Sequence, residues 1–359
     1  MATFTKQTSP YIRKPVTAKR MMTDVLIALI PLVVFAIWKF GVNALVRILI
    51  AVGVMILAEV ATVLIRHRPH PKYEGFKARF LERLKQVRAL NIITPAISAV
   101  IFSMMIPATL PIYVVVVASF LGIVIGKLVF GGLGSNIFNP AAVAFVIAHV
   151  SFASSFTYTQ INSVAGATPL TAIGDSLANI PAMINNYSLT DLFLGNIPGG
   201  MGEICSVLII IGGLYMFIRK AADFRITASM LASFTVLIGV AALIVDRSNA
   251  HLIILYQLLS GGLLYGAVFM ATDPVTATVT KPGRWIYGLL LGVLVAIFRL
   301  FGPNPEGVAY AILICNMFAP LIDYHKWSKN NYSWKMWVGY GATLVIGILI
   351  VVAGLGGFN

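Results

Sequence analysis

The chain has 359 residues, of which 59% are hydrophobic and 11% are charged, and its formal net charge is +14. Together with a mean hydropathy of +0.91, this composition excludes an ordinary soluble domain and predicts an all-α, polytopic membrane protein. The positive charge does not indicate nucleic-acid binding, because the basic residues flank hydrophobic segments instead of forming one soluble basic face.

The chain begins with a basic arm, residues 1–20, which has neither the apolar core nor the small-residue cleavage site of a signal peptide. We predict that this arm lies in the cytoplasm against anionic lipid. Beyond it, hydropathy predicts about ten or eleven transmembrane helices. The predicted segments lie near 21–39, 43–65, 90–106, 112–131, 138–155, 203–218, 226–245, 251–271, 285–301, 306–322 and 336–356.

The distribution of Lys and Arg predicts the orientation. With the N-terminus inside, 22 of the 26 basic residues fall on the cytoplasmic side, in agreement with the positive-inside rule. No Lys or Arg occurs from Leu128 to Ile218. We therefore predict that the long loop over 156–202 lies on the extracytoplasmic side of the membrane.

The largest predicted cytoplasmic loop, 66–89, is strongly basic. Its apolar residues Phe76, Phe80, Leu84 and Val87 recur at steps of three and four, which predicts an amphipathic surface helix. Two partners stay open for this helix, acidic lipid headgroups and a soluble redox protein. No metal site is predicted, because the histidines of this loop lack a third ligand and the two cysteines of the chain stand singly in apolar runs.

An internal repeat is visible in two pairs of segments. Residues 139–145 and 304–310 share the pattern Asn-Pro-x-x-Val-Ala-aromatic, and 102–107 corresponds to 269–274, with 33 and 31 residues separating the two prolines of each half. Under the predicted orientation the helices after the two Asn-Pro pairs run in opposite directions. This predicts two inverted repeats. They span 21–155 and 203–323, and the last loop and helix occupy 324–359.

The loop at 156–202 contains Gly166-Ala167-Thr168-Pro169-Leu170. Gly166 and Ala167 leave the approach to the Thr168 hydroxyl open, and Pro169 biases Thr168 toward an extended conformation. This motif resembles the flavinylation motif of the NqrB/RnfD family, and the Asn-Pro segments resemble that family too, so the likeness covers nearly the whole chain. The resemblance implies FMN joined by a phosphoester to Thr168 and installed by a separate flavin transferase.

The same resemblance implies a fold and an assembly. The family's scaffold is similar to that of urea transporters, and the chain's length and short arm look most like the D-type subunit of the Rnf ferredoxin:NAD oxidoreductase. That likeness implies a prokaryotic cytoplasmic membrane, partner subunits including an FMN-bearing G-type subunit and A- and E-type membrane subunits, and coupling of electron transfer to Na⁺ or H⁺ movement. A second flavin, such as riboflavin held noncovalently between the repeats, is a further implication.

Each Asn-Pro pair predicts a helix start, with Asn139 or Asn304 as the cap and proline in the first turn. The N–H groups and partial positive charge of such a start suit a flavin phosphate, ribityl chain or ring edge. The alternative is that neighbouring backbone groups satisfy these N–H groups.

Charged residues at membrane depth complete the candidate set. Glu59, Asp273 and Glu306 are costly in lipid unless they face a cavity or a partner, and we predict that they belong to an ion path. Asp273 alternatively caps a half-helix or bonds a flavin edge. Arg299 pairs either with a flavin phosphate or with Glu306. Lys127 is predicted to extend to the cytoplasmic interface.

No Rossmann, Walker or other nicotinamide-binding motif occurs in the sequence, so NAD and ferredoxin are expected to bind other subunits, and no catalytic residue is predicted here. The chain is then an electron carrier within a translocating enzyme complex. Two alternatives stay open. One is the B-type subunit of a sodium-pumping NADH:quinone oxidoreductase, and the other is a flavin-free channel or transporter for a small solute.

Overall fold

A computed structural model describes residues 17–70, 72, 75–158, 170, 187–302, 306–324 and 330–356. Over these residues the secondary structure is helical, without β-strands. The helices follow from long apolar stretches interrupted by Gly, Pro and Asn, because only a helix satisfies its own backbone hydrogen bonds at membrane depth.

In the first half of the chain, the described residues form six helices. Helix α5 ends in a π-helical turn at Val124–Leu128, and α6 is followed by a short 3₁₀ turn. The bounds are α1, Ala18–Phe40; α2, Val42–Arg66; α3, Phe76–Lys85; α4, Leu90–Met105; α5, Ile112–Ile123; and α6, Pro140–Ser151.

In the second half, the residues that the structure describes from 187 onward form eight helices. Helix α11 is short and continues into a second π-helical turn at Gly266–Met270. The bounds are α7, Leu189–Leu194; α8, Ser206–Arg219; α9, Phe224–Val245; α10, Ala250–Leu259; α11, Leu263–Tyr265; α12, Lys281–Phe301; α13, Val308–Ile322; and α14, Trp334–Gly354.

The helices confirm the polytopic membrane fold. Among the described residues, α1, α2, α9, α12 and α14 are each long and apolar enough to cross a membrane, and the number rises to as many as seven if each of two bent pairs is one span. The remaining apolar helices α5, α6, α8 and α13 are shorter. Each hydrophobic segment predicted from the sequence coincides with one of these helices or bent pairs.

The order of elements is the same in the two halves. In the first half, α3 and α4 meet at 68°, and in the second half, α10 and α11 meet at 59°. Each bent pair is followed by a helix and then by a shorter helix. These are α5 and α6 in the first half, and α12 and α13 in the second. Equivalent helices also pack against each other, α1 against α8 and α6 against α13. Packing of equivalent elements is expected beside a pseudo-two-fold axis, which supports the predicted internal repeat, while the inversion of its halves stays a prediction.

Helix α9 packs closely along α12 because α12 carries glycines on the facing side. A β-carbon at Gly288 would collide with the backbone of Ile226, and one at Gly292 would collide with Ser233 and the Met230 carbonyl. Small residues at such crossings let two backbones approach, and packing then replaces the hydrophobic effect that lipid does not supply.

The two predicted helix starts have different outcomes. Asn139 caps α6, its Oδ1 accepting from Ala141 N at 3.0 Å, with Pro140 in the first turn. Asn304 lies outside the described residues, and the prediction that the Asn304-Pro pair starts a helix is wrong, because α13 begins at Val308 with Gly307 as its cap. Gly307 packs against the side chain of Phe298, where a β-carbon would collide.

Candidate functional site

The predicted flavin-bearing residue, Thr168, lies outside the described residues, as do Gly166, Ala167 and Pro169. Leu170 is described, and its side chain is only 2% exposed. It packs against Gly261, where a β-carbon would collide with Leu170 and lie 3.3 Å from the Arg299 guanidinium. The end of the motif therefore lies beside Arg299.

Arg299 is buried near the end of α12. One guanidinium nitrogen donates to the Gln257 carbonyl and, at 3.1 Å, to Gln257 Oε1, and the other donates to the Ser260 carbonyl at 2.9 Å. The guanidinium carbon also lies 5.1 Å from the centre of the Phe234 ring. Among the described residues Arg299 forms no salt bridge and its Nε has no hydrogen-bond partner, so the predicted direct pair with Glu306 does not form.

Two carboxylates lie within electrostatic range of Arg299. Glu306 accepts a hydrogen bond from Tyr158 Oη at 3.0 Å. Glu203 is 4% exposed, and its Oε1 accepts from Gly200 N at 3.1 Å. We call these four side chains, Glu203, Arg299, Glu306 and Tyr158, the Arg299 cluster.

Sequence reasoning missed Glu203 because it stands at the edge of a predicted span, where a carboxylate is ordinarily solvated. The surrounding glycines were the available signal. Gly202 N donates to the Met104 carbonyl at 2.8 Å, which ties this turn to the end of α4, and Glu203 Oε2 lies against the backbone of Gly262, where a β-carbon would collide. Glycines on both sides thus make room for a buried carboxylate.

A second group of charges surrounds Lys127. Its Nζ lies 2.9 Å from Glu59 Oε2, and both side chains are 3% exposed. Nζ also donates to Thr94 Oγ1 at 2.7 Å, and Asn91 Nδ2 donates to Glu59 Oε1 at 3.3 Å. The prediction that Lys127 extends to the membrane interface is wrong, because such an extension would leave the Glu59 carboxylate buried without its counter-charge.

Asp273 lies in the break after the π-helical turn of the second half. Its Oδ1 accepts from Val275 N at 3.3 Å and its Oδ2 accepts from Thr276 Oγ1 at 3.0 Å, so it does cap the following turn. It is also within electrostatic range of Lys127. We call Glu59, Lys127 and Asp273 the Lys127 cluster.

A small cavity joins this cluster to the start of α6. Lys127, Asp273, Asn136 and Asn139 are among its lining residues, and the space open to the centres of water molecules is about 60 Å³. Asn136 is 7% exposed, and its Oδ1 has no hydrogen-bond partner among the described residues. The cavity is therefore lined by charges of both signs, Lys127 and Asp273, together with the two asparagines.

Asn139 is a structural residue in this arrangement. Asn139 caps α6, and its Nδ2 also donates to the Met270 carbonyl at 3.2 Å. When the Asn316 amide is oriented with its oxygen toward Asn139, the Asn139 backbone N donates to Asn316 Oδ1 at 3.0 Å. Asn139 thus joins the first half of the fold to the second. Its own side chain satisfies the helix start, which favours the structural interpretation of this residue over an anion-binding one.

Several other residues have ordinary structural surroundings. Cys205 and Cys315 are buried free thiols, and His149 Nδ1 lies 2.9 Å from Tyr310 Oη. No group of three His, Cys, Asp or Glu side chains suited to a metal ion occurs in the described part of the chain. Helix α3, predicted to be amphipathic, is present with Phe76 86% exposed.

Comparison with known proteins shows the family. The family model described as "NQR2, RnfD, RnfE family" matches residues 5–331. The chain is 30% identical over 359 residues to the D-type subunit of the ion-translocating oxidoreductase complex of Actinobacillus succinogenes, covering 90% of this chain and 96% of that protein. It is 31% identical over 335 residues to the D-type subunit of the proton-translocating ferredoxin:NAD(+) oxidoreductase complex of Clostridium ljungdahlii, covering 89% and 93%.

A second set of relatives has a different name. The chain is 32% identical over 355 residues to the B-type subunit of the Na(+)-translocating NADH-quinone reductase of Ectopseudomonas mendocina, covering 89% of this chain and 86% of that protein. The family match spans both membrane halves and both charged clusters. The chain belongs to the NQR2, RnfD, RnfE family.

Proposed function

We propose that this chain is the D-type membrane subunit of an Rnf-type ion-translocating oxidoreductase and that it carries FMN on Thr168. The proposal is supported by the family, by full-length similarity to D-type subunits, and by the Gly-Ala-Thr-Pro-Leu motif in the predicted extracytoplasmic loop. The motif and the similarity along the chain therefore favour the same function.

The contact of Leu170 with Gly261 is the structural observation that supports the proposal most directly. Leu170 stands two residues after Thr168, and two residues of chain reach at most about 7 Å, which supports a flavin near the Arg299 cluster. Arginine is the side chain that pairs most readily with phosphate, but the terminal nitrogens of Arg299 are bonded to Gln257 and Ser260 and its charge acts on Glu203 and Glu306. The fit to FMN therefore rests on the Thr168 hydroxyl, which would hold it covalently.

When bound, the flavin supplies the redox chemistry, and the protein sets its position and its electrostatic surroundings. Electrons would arrive from a neighbouring flavoprotein subunit of G type and leave through A- and E-type membrane subunits or a second, noncovalent flavin. NAD and ferredoxin would bind elsewhere in the complex. Na⁺ or H⁺ would be translocated along a path that includes Glu59, Asp273 and Glu306, where moving one charge against 100 mV costs about 2.3 kcal/mol.

The B-type subunit of a Na⁺-translocating NADH:quinone reductase is the second candidate. It is favoured by a 36% identity over 239 residues to the B-type subunit of Klebsiella pneumoniae, of which the chain covers 58%. The purified complex distinguishes the two. Reduction of NAD by ferredoxin supports the D-type assignment, and reduction of quinone by NADH supports the B-type assignment.

The flavin assignment is tested by in-gel fluorescence of the full chain produced in cells that contain the flavin transferase. We expect a fluorescent band at the mass of the chain, its loss in Thr168→Ala, and its persistence in Thr171→Ala, a matched change three residues away. A dark wild-type band would leave the flavin-free channel as the better interpretation. Fluorescence that persists in Thr168→Ala would contradict Thr168 as the attachment site.

A further inference from the structure

Helix α3 carries four exposed apolar side chains on one side. Phe76 is 86% exposed, and Phe80, Leu81 and Leu84 are 41–51% exposed. At about 100° per residue, these four positions lie within one side of the helix, and the rings of Phe76 and Phe80 stack with 6.1 Å between their centres. We call these four residues the α3 stripe. Its exposure to water is unfavourable, which favours a partner that covers it.

The opposite side of α3 is attached to the preceding loop. Glu82, the acidic residue of this helix, lies across the helix from the α3 stripe. Its Oε2 accepts a hydrogen bond from His70 N at 3.0 Å, and its Oε1 lies 3.8 Å from His67 Nε2. The attachment turns the acidic side of α3 toward the protein and leaves the α3 stripe facing outward.

Basic side chains lie along both edges of the α3 stripe. By helical position, Arg79 and Arg83 lie along one edge and Lys85 along the other, while Lys77 lies within the stripe. Lysine in such a place packs its aliphatic stem against apolar surface and keeps its ammonium group in water. The loop 66–89 contains eight basic and two acidic residues, so its charge is complementary to an anionic partner.

The connections of α3 hold it at the membrane surface. Five of its ten residues are charged, which keeps it out of the hydrocarbon core. Four residues, 86–89, join it to α4 and reach at most about 14 Å, and α4 packs along the membrane span α2. Because α3 diverges from α4 by 68°, and spans tilt by only about 20° on average, α3 lies closer to the membrane plane than to its normal.

The size of the α3 stripe favours lipid over a soluble protein. A stable protein interface buries about 800 Å² on each partner, whereas even a fully exposed aromatic side chain contributes only about 150–250 Å². Four partly exposed side chains fall well below the area of such an interface. A lipid surface has no minimum area, and its anionic headgroups attract the flanking basic residues.

We propose that α3 is an interfacial helix whose stripe enters the lipid leaflet on the predicted cytoplasmic side and whose basic side chains bind anionic headgroups. Helix α3 then anchors the connection between α2 and α4 to the membrane surface. Its attachment through Glu82 sets which side of the helix meets the lipid. This role is separate from the flavin and from the electron-transfer partners of the proposed function.

The test measures the depth of α3 in the full chain reconstituted into lipid vesicles. The environment-sensitive fluorophore NBD is attached at Leu81→Cys, and lipids brominated on their acyl chains quench it. Two reference sites set the scale, Val345→Cys on the exposed side of the span α14 and Ser248→Cys in the exposed turn after α9. The native Cys205 and Cys315 are buried, and the chain without an added cysteine gives the background.

The vesicles contain phosphatidylcholine alone or with about one third phosphatidylglycerol. With the anionic lipid, we expect the label at Leu81→Cys to be quenched nearly as strongly as at Val345→Cys. We expect less quenching without the anionic lipid, and less in about 0.5 M NaCl, which shortens the screening length to about 4 Å. Quenching at Leu81→Cys as weak as at Ser248→Cys in both kinds of vesicle would overturn the proposal and favour a soluble partner. Equal quenching in the two kinds of vesicle would overturn the role of anionic headgroups.

A charge variant separates the basic residues from the α3 stripe. K77Q/R79Q/R83Q/K85Q keeps the stripe and Glu82, and we expect it to lower the quenching at Leu81→Cys in anionic vesicles by about half or more. Lys335→Gln, at an exposed lysine at the start of α14, is the control and should leave the quenching unchanged. Equal quenching in the quadruple variant and the control would contradict headgroup binding by α3. The label reports depth whether or not flavin is present, so the result is independent of the proposed function.

Discussion

Replacing Lys127 by Met removes one member of a fully buried ion pair. The wild-type contact is 2.9 Å from Nζ to Glu59 Oε2, with 3% of each side chain exposed, and the same Nζ bonds Thr94 at 2.7 Å. Breaking a buried pair costs about 3–5 kcal/mol, because the remaining charge stays buried without compensation. We expect a loss of this size in the free energy of unfolding for Lys127→Met.

The double variant E59Q/K127M removes both charges. Neutral replacement of a buried pair is close to neutral or even stabilising, so we expect the double variant to recover most of the stability lost by Lys127→Met. Lys220→Met, at an exposed lysine that follows α8, is the control and should cost no more than about 0.5 kcal/mol.

The assay is reversible denaturant unfolding of the purified chain in detergent, followed by tryptophan fluorescence. A Lys127→Met variant as stable as Lys220→Met would refute the buried pair. A double variant less stable than Lys127→Met would refute the reasoning that the uncompensated Glu59 charge is the source of the cost.

Two further predictions concern the scaffold. Gly292→Ala should destabilise the chain by about 1–3 kcal/mol, because the new methyl group collides with Ser233. Gly339→Ala is the control and should be neutral or slightly stabilising, because no atom lies within 4 Å of the added carbon. Equal unfolding midpoints for the two variants would contradict the close α9–α12 packing. Asn139→Ala should lower the free energy of unfolding by about 1–3 kcal/mol, because it removes the α6 cap and the bond to the Met270 carbonyl. Asn139→Asp keeps the cap and should lower it less. If Asn139→Asp were the less stable variant in denaturant unfolding, the capping role would be contradicted.

The helices were predictable because hydropathy depends on local composition alone. The apolar segments of the sequence correspond to helices, and the Asn139 start followed from a cap and a proline that act within one turn. The start of α13 was not predictable in this way. Its cap, Gly307, packs against Phe298, a tertiary contact that the sequence pattern does not contain.

The charged clusters show the same limit more clearly. Glu59 and Asp273 were recognisable as costly carboxylates, but Lys127 was misinterpreted because its partner lies on another helix. Glu203 was missed because its burial results from glycines in two distant segments. Sequence reasoning identifies buried charged residues one at a time. The groups that neutralise or hydrogen-bond each charge lie on other helices, so they are known only from the tertiary structure.

The most direct measurement of the central claim is peptide mass spectrometry of the mature chain purified from cells that contain the flavin transferase. The account predicts that the peptide containing Thr168 carries the mass of FMN less one water, with the modification localised to that threonine. An unmodified Thr168 peptide from a fully assembled, active complex would contradict it.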